Sequence, residues 1–127
     1  MKTEETNKGT LENWTPQEVV EAFERDEIVL IDVRTPQEYS FERIDGALLA
    51  PMQAFQAVHM PGQGEKRIVF HCGSGVRSKK VAEMCLNAGI DRIAHMEGGF
   101  GAWKEAGLTY TGTDMTSGAP KHMNKAG

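Results

Sequence analysis

Several things that would point elsewhere are scarce in this sequence. Cysteine occurs only at positions 72 and 85. Two residues do not make a disulfide framework, and there is no second pair for a four-thiolate zinc site. Long apolar runs are missing too: no stretch approaches the roughly 20 residues that a membrane-spanning helix needs. Basic residues do not prevail, since 14 Lys and Arg stand against 18 Asp and Glu for a formal net charge of −4. That balance argues against a nucleic-acid-binding surface. The opening Met-Lys-Thr-Glu-Glu-Thr-Asn-Lys carries acids and no apolar stretch, so no signal peptide is expected. The expectation is a cytoplasmic domain whose cysteine chemistry belongs to free thiols.

What is present is one domain's worth of ordinary globular sequence. The 127 residues are 39% hydrophobic and 25% charged, which suits a single core. Residues 1–13 are polar and aperiodic and are expected to be a flexible lead. Thr15-Pro16-Gln17-Glu18 has the letters of a helix start: a capping threonine, proline at the first helical position and a glutamate that returns the bond. Val19, Val20 and Phe23 continue at helical spacing to about Arg25. Thr35-Pro36-Gln37-Glu38 repeats the same cap.

Between and after these caps lie β-branched and aliphatic runs. Ile28–Ile31 and Arg67–His71 read as strands buried on both faces, the signature of a parallel sheet covered by helices. Ala47–Ala50 and Ile90–Met96 read as further strands. Met52–Met60 is expected to be helical and to stop at the turn Pro61-Gly62-Gln63-Gly64. A helix carrying Val81, Ala82, Met84, Cys85, Leu86 and Ala88 should end at Gly89, and a last helix should span residues 99–106. The alternation gives an α/β fold with a mainly parallel central sheet and helices on both faces. The domain is bounded at residues 14–111, and residues 112–127 read as a tail.

The chemistry concentrates where the Arg67–His71 strand opens into Cys72-Gly73-Ser74-Gly75-Val76-Arg77. Glycines let successive backbone N–H groups turn into one concavity, and the following helix adds the positive end of its dipole. A cysteine at such a nest should be more acidic than a free thiol and therefore nucleophilic. Arg77 adds a planar, permanently charged fork suited to oxyanions. Cys72 thus reads as a nucleophile whose substrate or product is an anion, with residues 73–77 as the anion-binding loop. Ser78 is either a hydroxyl donor to the site or a helix cap. Cys85, beside Met84 and Leu86 on an apolar helical face, reads as core.

Four segments, in order, resemble the single-domain rhodanese family of sulfurtransferases. They are Ile31-Asp32-Val33-Arg34 with Glu38-Tyr39, Ile44-Asp45-Gly46-Ala47 with Pro51, His71 to Ser78, and Glu97-Gly98-Gly99-Phe100-Gly101-Ala102-Trp103 with Gly107-Leu108. Glu42-Arg43 stands where the family usually has Gly-His. The resemblance implies a rhodanese-like fold and double displacement through a Cys72 persulfide. Phosphatases and arsenate reductases of this fold have five residues between cysteine and arginine, whereas Cys72 and Arg77 have four between them. The smaller ring suits a single sulfur.

The implied partners are a small anionic sulfur donor, thiosulfate or a small persulfide, and a thiol, cyanide or carrier-protein acceptor. Mercaptopyruvate is the alternative donor, because Cys72-Gly73-Ser74-Gly75-Val76 is similar to the loop of mercaptopyruvate sulfurtransferases. A persulfide relay or redox-sensing module is the alternative to a turnover enzyme. No cofactor and no metal are expected. Asp32 and Arg34 are expected to form a supporting ion pair, His71 to be a structural neighbour, and Phe100 and Trp103 to pack the core edge. His59, His95 and His122 lack ligand spacing and are expected at the surface.

Overall fold

Three apolar runs make the middle of the sheet, and their period-two alternation sends side chains to both faces. In the computed structural model, which describes residues 1–60 and 63–124, the strands are β1 (Lys2–Thr6), β2 (Gly9–Trp14), β3 (Ile28–Asp32), β4 (Leu48–Leu49), β5 (Arg67–His71), β6 (Arg92–Met96), β7 (Tyr110–Thr113) and β8 (Pro120–Met123). The helices are α1 (Pro16–Glu24), α2 (Pro36–Phe41), α3 (Val76–Asn87) and α4 (Gly99–Glu105). β1 to β6 form one sheet in the order β1-β2-β6-β5-β3-β4, and β7 pairs with β8 in a separate ribbon. Every pairing in the large sheet is parallel except β1 with β2. This is the α/β architecture with a mainly parallel sheet expected from the alternation of elements.

Each face of the sheet carries its own apolar layer. Leu30, Val69, Ala94 and Met96 pack with Val19 of α1 and with Phe100 and Trp103 of α4. Ile31, Ile68, Phe70 and Ile93 pack with Val81, Ala82, Cys85 and Leu86 of α3. Both capping boxes form: Thr15 Oγ1 accepts from Glu18 N at 3.2 Å, and Thr35 Oγ1 from Glu38 N at 3.2 Å. No helix among the described residues is long and apolar enough to cross a membrane.

Three segments depart from expectation. Residues 2–14 form the β1–β2 hairpin where residues 1–13 are expected to be a flexible lead, and β2 lies parallel beside β6. The period-two signal is masked because the buried neighbour of Leu11 is a charged residue. Glu12 is 0% exposed. Its carboxylate accepts from Trp14 Nε1 at 2.8 Å and Arg67 at 2.6 Å, and it also pairs with Arg92. Residues from 112 on, read as a tail, supply the end of β7 and all of β8, so the expected boundary at 111 falls inside a strand.

The third departure is Met52–Met60, which forms two short 3₁₀ turns, Met52–Ala54 and Ala57–His59, rather than one helix. Neither turn has a side-chain cap, and Phe55 between them is extended so that its ring meets Phe70 edge-on at 5.6 Å. Of the turn expected after them, Pro61 and Gly62 lie outside the described residues.

The burial of Glu12 makes a direct prediction about the hairpin. Its burial opposes ionisation, but hydrogen bonds from Trp14, Arg92 and Arg67 outweigh this and hold its pKa below the ordinary carboxylate value. Glu12→Ala should therefore cost about 1–3 kcal/mol in urea unfolding at neutral pH, the range for losing charge-assisted bonds. Because the folded-state pKa is the lower one, the difference from wild type should shrink as the pH falls through the carboxylate range. An undiminished difference in acid would show that the charge is not the source.

Candidate active site

Cys72 follows the last residue of β5 and sits where the backbone turns to enter α3. Gly75, with φ +101°, makes the turn in the left-handed region, which glycine enters without the steric cost of a side chain. Gly75 N lies 3.1 Å from Cys72 Sγ and Ser78 N lies 3.3 Å from it, so both N–H groups point at the sulfur. Ser78 Oγ is 3.7 Å away. Cys72 is 0% exposed, and such burial by itself raises a thiol pKa. Here the N–H donors of Ser78, Gly75 and Ser74 and the Ser78 hydroxyl outweigh burial and bring the thiol below its ordinary value.

Cys85 provides the contrast within the same molecule. It is equally buried, its sulfur lies 3.6 Å from Met60 Sδ, and burial alone pushes its thiol up to about 11. Its thiol has no converging N–H groups among the described residues and stays protonated at neutral pH.

The loop is braced from the next turn of chain. Phe100 N donates to Cys72 O at 2.8 Å, and Gly101 N donates to Gly73 O at 3.0 Å. These are free N–H groups of the first turn of α4, which have no partner inside their own helix. The approach requires Gly99: a Cβ there would lie 2.5 Å from Cys72 O, and its φ of +59° is left-handed. The sequence pattern marks Gly98-Gly99 as a motif, but only the packing of α4 against the loop explains it.

The arginines are engaged by carboxylates. Arg77, at the loop's end, makes a two-pronged ion pair with Glu38 of α2, at 2.7 and 3.0 Å. Those hydrogen bonds lead the causes that hold the Glu38 carboxyl at about 2, against its ordinary 4.5. Arg34 donates to Asp32 through Nε and Nη2, with the latter bond 2.8 Å long, and to the carbonyl of Glu42 at 2.7 Å. The pair is buried behind the loop, and the guanidinium lies 4.7 Å from the centre of the Phe100 ring.

His71, next to the cysteine, is buried and held neutral. Its Nε2 stands 3.6 Å from Asp32 Oδ2 without a hydrogen-bond partner among the described residues, and burial pushes its pKa to about 4. Ser74 and Val76 are exposed on the rim, Val76 by 58%. Phe100 and Trp103 are core residues, and Phe100 stacks edge-on against Tyr110 at 5.2 Å.

One expectation about this region is corrected. His59 and His122 are exposed, but His95 is only 3% exposed. Its Nδ1 lies 2.9 Å from Ser78 Oγ, and its Nε2 lies 2.7 Å from Asn13 Oδ1. β6 brings His95 to α3, and β2 brings Asn13 to His95. Neither proximity is encoded in local spacing. A groove of about 600 Å³ borders the same residues, lined in part by Ser74, Gly75, Lys79 and Gly98.

Comparison with known proteins agrees with this architecture. The family model for the rhodanese-like domain matches residues 15–106. An uncharacterized protein of Synechocystis sp. is 34% identical over 105 residues, which cover 83% of this chain and 57% of that protein's length. The chain thus spans little more than half of that relative. The thiosulfate sulfurtransferase GlpE of Actinobacillus succinogenes is 27% identical over 74% of this chain and 85% of its own. The crystal structure of a rhodanese-related protein from Thermoplasma volcanium superposes with a TM-score of 0.68 at 22% identity, covering 78% of this chain and 96% of that one. With the family match running from the first capping box to the end of α4, the chain belongs to the rhodanese-like domain family, within the sulfurtransferase superfamily.

Proposed function

We propose that the protein is a sulfurtransferase that carries sulfane sulfur as a persulfide on Cys72, with thiosulfate as the donor. The observation that carries the reading is the pair of N–H groups, from Gly75 and Ser78, directed at a buried cysteine sulfur. The four-residue interval between Cys72 and Arg77 supports sulfur over phosphate. So does similarity to a protein named as a thiosulfate sulfurtransferase.

In the first half-reaction the Cys72 thiolate attacks the outer sulfur of thiosulfate. The sulfur–sulfur bond of the donor breaks, and sulfite leaves with the electron pair. In the second, an acceptor nucleophile attacks the outer sulfur of the persulfide and Cys72 leaves as thiolate. The negative charge starts on Cys72 Sγ, moves one bond out to the terminal sulfur of the persulfide and returns to Sγ on discharge, so the N–H groups aimed at Sγ stabilise the attacking and the leaving thiolate. Arg77 serves by holding α3 and the loop to α2 through Glu38.

A second reading is favoured by one observation, the complete burial of Sγ. In it the persulfide discharges only to a protein partner that displaces the exposed rim at Ser74 and Val76. Turnover with cyanide distinguishes the two: an enzyme sustains it, and a relay loads sulfur once and stalls.

Intact-protein mass after brief incubation with thiosulfate should show the gain of one sulfur atom in wild type and in Cys85→Ser, and none in Cys72→Ser. No gain with thiosulfate, mercaptopyruvate or glutathione persulfide would refute the persulfide mechanism. A second expectation concerns the brace. Glu38→Gln should lower both the rate of sulfur loading and the stability at neutral pH. Because the folded-state pKa of Glu38 is depressed to about 2, the ion pair's contribution is complete above 4.5 and is lost as the pH falls toward about 2. Urea unfolding should therefore show the two proteins converging across that window, and parallel curves would rule out the ion pair as the cause.

A further inference from the structure

The sulfur of Cys72 is one end of a polar chain that runs along the α3 face of the sheet to β6 and β2. Ser78 Oγ lies 3.7 Å from Cys72 Sγ and 2.9 Å from His95 Nδ1, and His95 Nε2 lies 2.7 Å from Asn13 Oδ1. Ser78 and His95 are both buried. Asn13 stands opposite His95 in the parallel register of β2 with β6, so the N-terminal hairpin supplies the far end of the chain.

The direction of each bond follows from what each atom can do. An amide oxygen only accepts, so Asn13 Oδ1 requires the ring hydrogen on Nε2. In the neutral ring Nδ1 is then the acceptor. The single hydrogen of Ser78 has two acceptors in reach, Nδ1 at 2.9 Å and Gly75 O at 3.2 Å, and the shorter contact is to the ring. With its hydrogen on that side, the Ser78 oxygen presents a lone pair to the S–H of Cys72. Every link therefore donates away from the sulfur.

We propose that His95 is a positioning residue that receives, through Ser78, the proton Cys72 loses on becoming a thiolate. The inference rests on Cys72 being the nucleophile. The S–H bond breaks and its electron pair stays on sulfur. The proton joins Ser78 Oγ while the hydrogen already there passes to His95 Nδ1. The hydroxyl is regenerated, the ring becomes imidazolium, and nothing is oxidised or reduced. Asn13 Oδ1 accepts from Nε2–H before and after, so no group turns over. The thiolate is left with the N–H donors of Gly75 and Ser78, the regenerated Ser78 hydroxyl and a cationic ring one residue removed.

The surroundings keep the ring neutral while the thiol is intact, and they make the imidazolium depend on the negative charge left on Cys72 when the proton moves. Burial lowers the imidazole pKa, Lys79 of α3 lowers it further, and Glu97 after β6 and Glu4 of β1 oppose them. Lys79 and Glu4 are themselves paired at 3.4 Å. The other charged groups on the adjoining groove are Lys2, Lys80 and Glu83.

The test is a titration of the resting protein by ultraviolet thiolate absorbance, with the Cys72 signal obtained by subtracting Cys72→Ser. His95→Asn places an amide near the position of Nδ1, so it can hold the Ser78 hydroxyl but cannot take a proton. His95→Gln is the second variant, and it keeps a contact to Asn13. The midpoint should rise by about one unit or more in both, by a similar amount in Ser78→Ala, and no further in Ser78→Ala combined with His95→Asn. A wild-type midpoint in His95→Asn would reduce the histidine to packing and overturn the relay.

Ring-nitrogen NMR of the wild type needs no variant to fold. It should find the Nε2–H tautomer before the thiol ionises, and the Nδ1–H tautomer would overturn the relay outright. Sulfur loading is read separately by mass. A protein that loads sulfur but shows unmoved midpoints loses the relay alone, whereas one that never loads sulfur loses the nucleophile on which the relay rests.

Discussion

A sulfur atom buried at the end of a strand has to be solvated by the protein, and here the backbone does it. Gly75 N and Ser78 N converge on Cys72 Sγ at 3.1 and 3.3 Å. Most of the surrounding structure serves that convergence. The left-handed turn at Gly75 lets the chain double back, and α3 begins at once so that its first free N–H groups lie at the sulfur. The carbonyls of Cys72 and Gly73 point the other way and are taken up by Phe100 N and Gly101 N. One loop thus has its donors turned inward and its acceptors satisfied by the next helix, and Gly99 is needed because any side chain would push the two apart.

The charged side chains near the site are engaged with one another. Arg77 is held by Glu38, Arg34 by Asp32 and the carbonyl of Glu42, and His71 is neutral. The positive potential at the sulfur therefore comes from oriented N–H groups rather than from a free guanidinium. Fixed dipoles of this kind keep their orientation when charge moves, and in a site closed to water they act with little screening. The difference between the two cysteines follows from this alone. Both are buried among the same aliphatic residues, but the thiol that meets N–H groups is shifted down and the one that meets Met60 is shifted up.

Much of this was legible from the chain itself. Helix starts at Thr15 and Thr35 are local events in which a side chain bonds the backbone three residues on, so their letters suffice. The central strands are visible because burial on both faces demands an unbroken apolar run, as in Ile28–Ile31. The glycine spacing around Cys72 marks a turn that can converge N–H groups, because the backbone conformation it permits is also local.

Tertiary structure decided what depends on distant segments meeting. The hairpin of residues 2–14 is not legible in the sequence because it buries Glu12, whose charge is acceptable only once Arg67 and Arg92 arrive from elsewhere in the fold to join Trp14 of the same strand. The sequence leaves Arg77 either to attract an anionic donor or to hold the loop's shape, and only the fold brings Glu38 of α2 against it; His95, expected at the surface, is enclosed by β2 and α3. The sequence alone determined the order of elements and the residue types at the loop, since torsional preference and hydrophobic period act over a few residues. Only the fold determined which charges cancel and which hydrogen bonds close, because those energies depend on separations between residues far apart in the chain.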